Sequence, residues 1–171
     1  MMRSGVIEAI RENHALEHAT VALLLARTGM SLRLVGRATA NGFYLYGNLP
    51  TEMVSEAAHE ALLRLKSGES HLAVSPLCGT NLAVAGILAG LASLLALGTN
   101  DYNGLFGRWR RLPDVLTAAV IAVVAAQPLG RLMQRHITTS AQVQNLQIVD
   151  IVAGSYGVIR YHKITTRRTE S

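Results

Sequence analysis

A chain of 171 residues, half of them apolar, has room for one compact core and is short for two full soluble domains. Its net charge of +5 is scattered over both ends, with no single helix that interleaves basic and aromatic residues, which excludes an ordinary nucleic-acid reader and fits basic flanks lying against a membrane surface. The single cysteine, Cys78, excludes an internal disulfide and leaves a thiol that is either a small buried hydrophobe or a metal ligand.

Met1 to Arg11 mix Arg3, Glu8 and Arg11 with short apolar stretches and lack the continuous apolar core of a signal peptide, so the N-terminus is expected to stay cytoplasmic. From Val6 to Thr28, good helix formers carry apolar residues such as Ile10, Leu16 and Leu24 up to Gly29, which predicts a helix. Ser31 to Arg37 and Phe43 to Leu49 read as strands flanking Asn41-Gly42, a dipeptide suited to the positive backbone angles of a tight hairpin turn. Pro50 and Thr51 open a second helix that runs to about Lys66, with Met53, Ala57, Leu62 and Leu65 on its buried face and Ser67-Gly68 as its stop.

No charged residue lies between Leu72 and Asn100, and Leu82 to Leu97 reads LAVAGILAGLASLLAL, the pattern of a membrane helix. A second uncharged run, Val115 to Gly130, follows Pro113 and Asp114 and is closed by Arg131 and Arg135. Arg108, Arg110 and Arg111 lie between the two runs, which together predict a transmembrane helical hairpin. Both runs are slightly short, and Gln127 and Pro128 interrupt the second, so a buried soluble hairpin is the competing reading. Gly86 and Gly90 form a Gly-x-x-x-Gly face that lets helix backbones approach closely and permits a homodimer. Further on, Val143 to Val152 and Gly157 to Thr165 alternate apolar and polar residues around Gly154-Ser155, which predicts a C-terminal β-hairpin.

The expected fold is therefore α+β and membrane-anchored. It comprises a metal-binding α/β unit over residues 1–78, a transmembrane hairpin over 79–135, and a β segment over 136–171 that packs on the first unit. An integral protein of a bacterial inner (cytoplasmic) membrane with both termini cytoplasmic is the expected placement.

The first helix carries His14-Ala15-Leu16-Glu17-His18, a His-x-x-Glu-His sequence. At about 100° per residue the two histidines stand roughly 40° apart on one face, one turn from each other, which suits a shared tetrahedral metal. Glu17 falls roughly 60° from His14 and about 100° from His18, close enough to act as base toward a water on that metal. Histidines that simply face a core and bond to backbone are the competing explanation. Candidates for a third ligand are Glu56, His59 and Glu60 on the second helix, then His71 and Cys78; a thiolate beside two imidazoles would favour zinc.

Asn13 to Thr20, Gly42 to Gly47, Pro50-Thr51-Glu52, Cys78-Gly79-Thr80-Asn81, Pro128-Leu129-Gly130 and Ile137-Thr138-Thr139 together resemble an uncharacterised bacterial family common in cyanobacteria, which implies an architecture but no activity. The order of features from His14 to Asn81 is distantly similar to the peptidase domain of the membrane-bound AAA protease FtsH, although the zinc motif is inverted and no Walker-type loop is present. His-x-x-Glu-His itself resembles the inverzincin peptidases, which implies zinc on His14 and His18 with Glu17 as the base.

The leading expectation is a membrane-anchored zinc metallopeptidase or related hydrolase acting on a peptide or membrane-protein substrate. In it His14, His18 and Cys78 hold Zn2+, and Glu17 is catalytic. Phe43 to Leu49 would hold the substrate by edge pairing, with Tyr46 or Asn48 near the developing oxyanion. The alternative is a non-catalytic membrane accessory or assembly protein with a structural metal or merely packed histidines. A pigment or haem role is disfavoured, because histidines one turn apart are poorly placed for opposite axial positions on one haem and no Cys-x-x-Cys-His attachment sequence is present.

Overall fold

The computed structural model describes residues 2–29, 34–76, 78–98 and 111–169. Among them are four helices and a four-stranded antiparallel sheet, a mixed α+β fold. The helices are α1 (Met2–Thr28), α2 (Thr51–Lys66), α3 (Gly79–Gly98) and α4 (Leu112–Met133). The strands are β1 (Val35–Thr39), β2 (Gly42–Tyr46), β3 (Leu146–Tyr156) and β4 (Ile159–Arg168). The chain divides into two compact units, one from Met1–Ser75 with Gln134–Ser171 and the other from Pro76–Met133.

In the first unit the strand order is β1-β2-β4-β3, so the C-terminal hairpin extends the N-terminal one into a single sheet. Alternation along β2 sends Phe43 and Leu45 into the core, while Tyr44 and Tyr46 join Tyr161 on the opposite face. The core-facing side carries Ile164 from β4 and Leu146 from β3 and is covered by α1 and α2, through Ala15, Leu16, Ala19 and Leu24 and through Val54, Ala57, Ala61 and Leu65. Burying each of the larger of these side chains is worth about 1.5–3 kcal/mol. Gly29, at φ 73°, follows α1, as expected of a helix stop. At the other stop, Ser67 donates to Leu63 O and Gly68, at φ 98°, to Leu65 O. The N-cap of α2 is Pro50, and the Thr51 hydroxyl is hydrogen-bonded instead to His162 Nε2 at 3.2 Å.

Both hairpin turns differ from expectation, for one physical reason. The β1–β2 turn is Ala40-Asn41, with Thr39 paired to Gly42, and the β3–β4 turn is Gly157-Val158, with Gly157 at φ 59°. Gly42, at φ 131°, opens β2 directly after its turn, and Gly154 lies inside β3. A Cβ on Gly42 would stand 1.9 Å from Ile164 O, and one on Gly154 would stand 2.6 Å from the Tyr161 ring. These glycines serve close approach across the sheet rather than reversal of the chain.

In the second unit, α3 and α4 pack against each other. Arg111, just ahead of α4, donates to Ala96 O at 2.9 Å and Leu97 O at 3.1 Å, satisfying carbonyls at the C-terminal end of α3. Gly130 has no room for a side chain, because Asn81 Oδ1 would lie 2.1 Å from its Cβ. At Gly86 and Gly90 an added Cβ meets nothing within 4 Å, so the Gly-x-x-x-Gly face is not what joins these helices. Pro128 is contained within α4, which stays helical to Met133. The region around Arg108 and Arg110, expected to link the two runs, lies outside the described residues. Two helical segments, Gly79–Gly98 and Leu112–Thr138, are long and apolar enough to cross a membrane.

Gly42→Ala is expected to lower stability by more than ~2 kcal/mol. Gly86→Ala is expected to leave stability unchanged or raise it by up to about 1 kcal/mol. Thermal unfolding of the purified variants measures both.

His162 is buried, its Nδ1 has no hydrogen-bond partner among the described residues, and burial holds its pKa below the usual imidazole range. The unfolded chain then takes up a proton below about pH 6.5 that the folded chain refuses, so stability is intact above that pH and falls as the medium is acidified. His162→Gln should flatten that acid limb in denaturant titrations at stepped pH, and an unchanged limb would contradict the assignment.

Candidate metal centre

The site begins on α1, whose middle is buried on nearly every side between α2, the sheet and two short segments. One is a single 3-10 turn, Ser70–Ala73, and the other is a π-helical turn, Gln134–Thr138. Four-residue spacing brings His14 and His18 together, with ring centroids 4.3 Å apart and the planes tilted by 58°. His14 Nδ1 donates to Thr138 O at 2.9 Å, and His18 Nδ1 donates to Ala73 O at 2.8 Å. A carbonyl can only accept, so each Nδ1 carries a hydrogen, which leaves Nε2 as the nitrogen able to ligate a metal. Metal-binding histidines are characteristically oriented in this way by a second partner.

Both Nε2 atoms face one carboxylate oxygen. Glu17 Oε2 lies 3.9 Å from His14 Nε2 and 4.0 Å from His18 Nε2. Glu17 is only 7 % exposed and His18 3 %, while His14 is partly open. The Glu17 side chain lies flat on β1, where a Cβ on Gly36 would stand 1.8 Å from Glu17 Oε1. The glycine is therefore the wall against which this carboxylate rests.

The segments carrying the two carbonyls are themselves tied together. The buried Gln134 side chain accepts from Ser75 N at 2.8 Å and donates to Ser75 O at 3.0 Å. Arg11 reaches from α1 to His136 O and Thr139 O, both at 3.1 Å, and Ser140 N donates to Arg11 O. Asn13, fully buried beside His14 in sequence, donates to Thr39 O and Ala40 O and accepts from the Thr166 hydroxyl at 2.6 Å. It pins α1 to the β1–β2 turn and to β4. Sequence reasoning gave no role in the site to Asn13, Gly36, Gln134, Thr138 or the Ala73 carbonyl. Only Gly36 left a signal, as an isolated glycine in a strand-like run.

The donor nitrogens of His14 and His18 lie within 4.8 Å of each other, a pair inside the first unit that could share a metal ion, whereas Cys78, which is buried, belongs to the second unit. The other third-ligand candidates are placed elsewhere. Glu56 and Glu60 pair with Arg27 on an outer face of α2, where Arg27 holds the Glu60 carboxyl below its ordinary pKa range. His59 is exposed and bonded to Ser55 O, and His71 is exposed. The strand chosen for substrate pairing is corrected: β2 lies between β1 and β4, so neither of its edges is open, and β1 is the edge strand beside Glu17. Tyr46 packs among Tyr44 and Tyr161, and Asn48 Oδ1 accepts from Arg160, so neither side chain stands with the histidine pair.

The contact between Gly36 and Glu17 yields a direct test. Gly36→Ala should cost about 1–3 kcal/mol in an otherwise unchanged chain, and much less when Glu17 is already alanine. A double-mutant cycle by chemical denaturation reads the coupling, and equal losses in both backgrounds would contradict the placement of Glu17.

The family model described as a domain of unknown function, DUF6391, matches residues 9–151. An uncharacterised protein of the cyanobacterium Picosynechococcus sp. (strain PCC 7002) is 39% identical over 153 residues, covering 83% of this chain and 71% of its own length. No solved structure matches the chain. None of these comparisons supports the likeness to the FtsH peptidase domain. With a family match over most of its length and a relative of this similarity, the chain belongs to the DUF6391 family.

Proposed function

We propose that this protein is a membrane-anchored, zinc-dependent hydrolase that cleaves peptide or membrane-protein substrates. The observation that carries the reading is the convergence of His14 Nε2 and His18 Nε2 on a single Glu17 oxygen, at 3.9 and 4.0 Å. The donor types fit zinc: two imidazoles oriented by backbone carbonyls, with the Cys78 thiol as the proposed third ligand on the softness of its sulfur alone. Bound there, zinc would polarise a scissile carbonyl and bring the pKa of a water toward about 7. Glu17, held in position against Gly36, would be the base that accepts a proton from the attacking water and returns it to the leaving group. The low exposure of Glu17 and His18 limits competing water and strengthens each charge interaction in the site. An extended substrate would pair with the open edge of β1, whose Gly36 backbone already touches the base.

The membrane reading rests on α3 and α4. Among its described residues α3 buries none, leaving side chains such as Leu82, Leu94 and Leu95 exposed, which is costly in water and ordinary in lipid. A bacterial inner membrane with both termini cytoplasmic is the proposed setting. The unoccupied space at Gly86 and Gly90 is compatible with a homodimer. A second reading, a structural metal in an accessory protein, is favoured by the same burial of His18 and Glu17, since a closed site needs no access.

The purified chain is expected to carry about one zinc ion, lost in His14→Ala and His18→Ala and kept in Glu17→Gln. With fluorescein-labelled casein as probe, Glu17→Gln should cut turnover at least ~10²-fold. Turnover retained in that variant would remove Glu17 as the base, and zinc-loaded wild type without cleavage would favour the structural reading.

A further inference from the structure

The C-terminal hairpin projects beyond the rest of the sheet in the first unit. β2 leaves β4 at the Tyr46–Tyr161 pair, followed by one bond from Gly47 N to Arg160 O. β3 and β4 continue together through Ser155–Arg160 and Tyr156–Ile159 to the Gly157-Val158 turn. The projecting end is apolar: Val158 is 100 % exposed, Tyr156 83 % and Ile159 52 %. Single exposed apolar residues are ordinary, but three gathered on a protruding turn, where water disfavours them, mark a contact surface.

Behind the tip the side chains change character in an ordered way. Tyr46 and Tyr161 meet on the outer side of the sheet with ring centroids 6.1 Å apart, about 10 Å back from Val158 along the strand. Arg37 and Lys163 are paired with Tyr44 on that same side, about 17 Å back, and Arg160 stands at the root of the tip. Between Ile151 and Arg168 the hairpin holds no acid, and its one carboxylate, Asp150, pairs with Thr165 still further back. Apolar, then tyrosine, then cation is the order met on passing from hydrocarbon through the headgroup layer into water. With the tip sunk about 5 Å into the acyl boundary, the rings of Tyr46 and Tyr161 fall in the headgroup layer. Arg37 and Lys163 then stand within a Debye length of its surface, about 8 Å at physiological salt. We infer that this tip inserts into the surface of an anionic bilayer, with Tyr156, Val158 and Ile159 against acyl chains and Arg37, Arg160 and Lys163 over acidic headgroups. A second copy of the chain fits less well, since it would bring the same cations against these. The inference rests on the membrane reading of α3 and α4. The first unit is joined to them at Ser75 and Gln134, so the bilayer they would cross is present at high local concentration.

The full chain, in a Cys78→Ser background with one cysteine carrying the fluorophore NBD, tests this in liposomes whose acyl chains bear a doxyl quencher. With about a third of the lipid as phosphatidylglycerol, label at Val158→Cys should be quenched at least ~3-fold more than label at Leu63→Cys, an exposed position on α2. Pure phosphatidylcholine should reduce that quenching at least ~2-fold, as should Arg160→Gln with Lys163→Gln. Tyr156→Ser with Ile159→Ser, both at exposed positions, should reduce it to a similar extent. Label at Leu94→Cys in α3 reports the membrane reading separately and should be quenched in either lipid. A quenched Leu94 label beside an unquenched Val158 label would overturn the inference alone, whereas an unquenched Leu94 label would remove the membrane reading and the inference together. Quenching at Val158 that is indifferent to lipid charge would overturn the choice of an anionic surface. A Val158 label whose emission moves to the blue without quenching by lipid would mean that protein covers the tip, which also overturns the inference.

Discussion

Two hydrogen bonds from imidazole to backbone, His14 to Thr138 O and His18 to Ala73 O, are the constraint on which the rest of the site depends. Each fixes a tautomer, and each requires a carbonyl delivered from a segment distant in sequence. The 3-10 turn supplies one and the π-helical turn the other, and Gln134 joins the two through its reciprocal bonds with Ser75. A π-helical turn withdraws backbone groups from the ordinary helical ladder and is often found at functional sites. Here its last carbonyl is the one that His14 uses.

The sheet serves the same end from the other side. β1 gives Glu17 a wall without a side chain at Gly36, and Asn13 ties the β1–β2 turn and β4 to the helix that carries the motif. Glu17 is thereby held close to both Nε2 atoms, a buried carboxylate with little freedom to turn away. Such preorganisation by neighbours is what a proton-transferring group needs, and it equally suits a rigid structural site.

Much of this was legible in the residues. Helical spacing placed His14, Glu17 and His18 on adjacent faces, Gly29 and Gly68 marked helix ends, and alternation in 146–168 announced a hairpin that joins the sheet. The strand glycines were misleading: Asn41-Gly42 marks its turn one residue late and Gly154-Ser155 misses it, because Gly42 and Gly154 are needed where backbone or ring comes close across the sheet. The substrate-binding edge was also misassigned, since strand order is a non-local property and β2 became interior only when β4 joined it. Backbone carbonyls such as those of Thr138 and Ala73 carry no signature in a sequence at all.

X-ray absorption at the zinc edge, recorded on the purified wild-type chain and on Cys78→Ser, tests the central claim most directly. The account predicts imidazole scattering together with one sulfur at about 2.3 Å in the wild type, and loss of the sulfur alone in the variant. A metal-free protein, or a bound metal whose spectrum contains no imidazole, would contradict it.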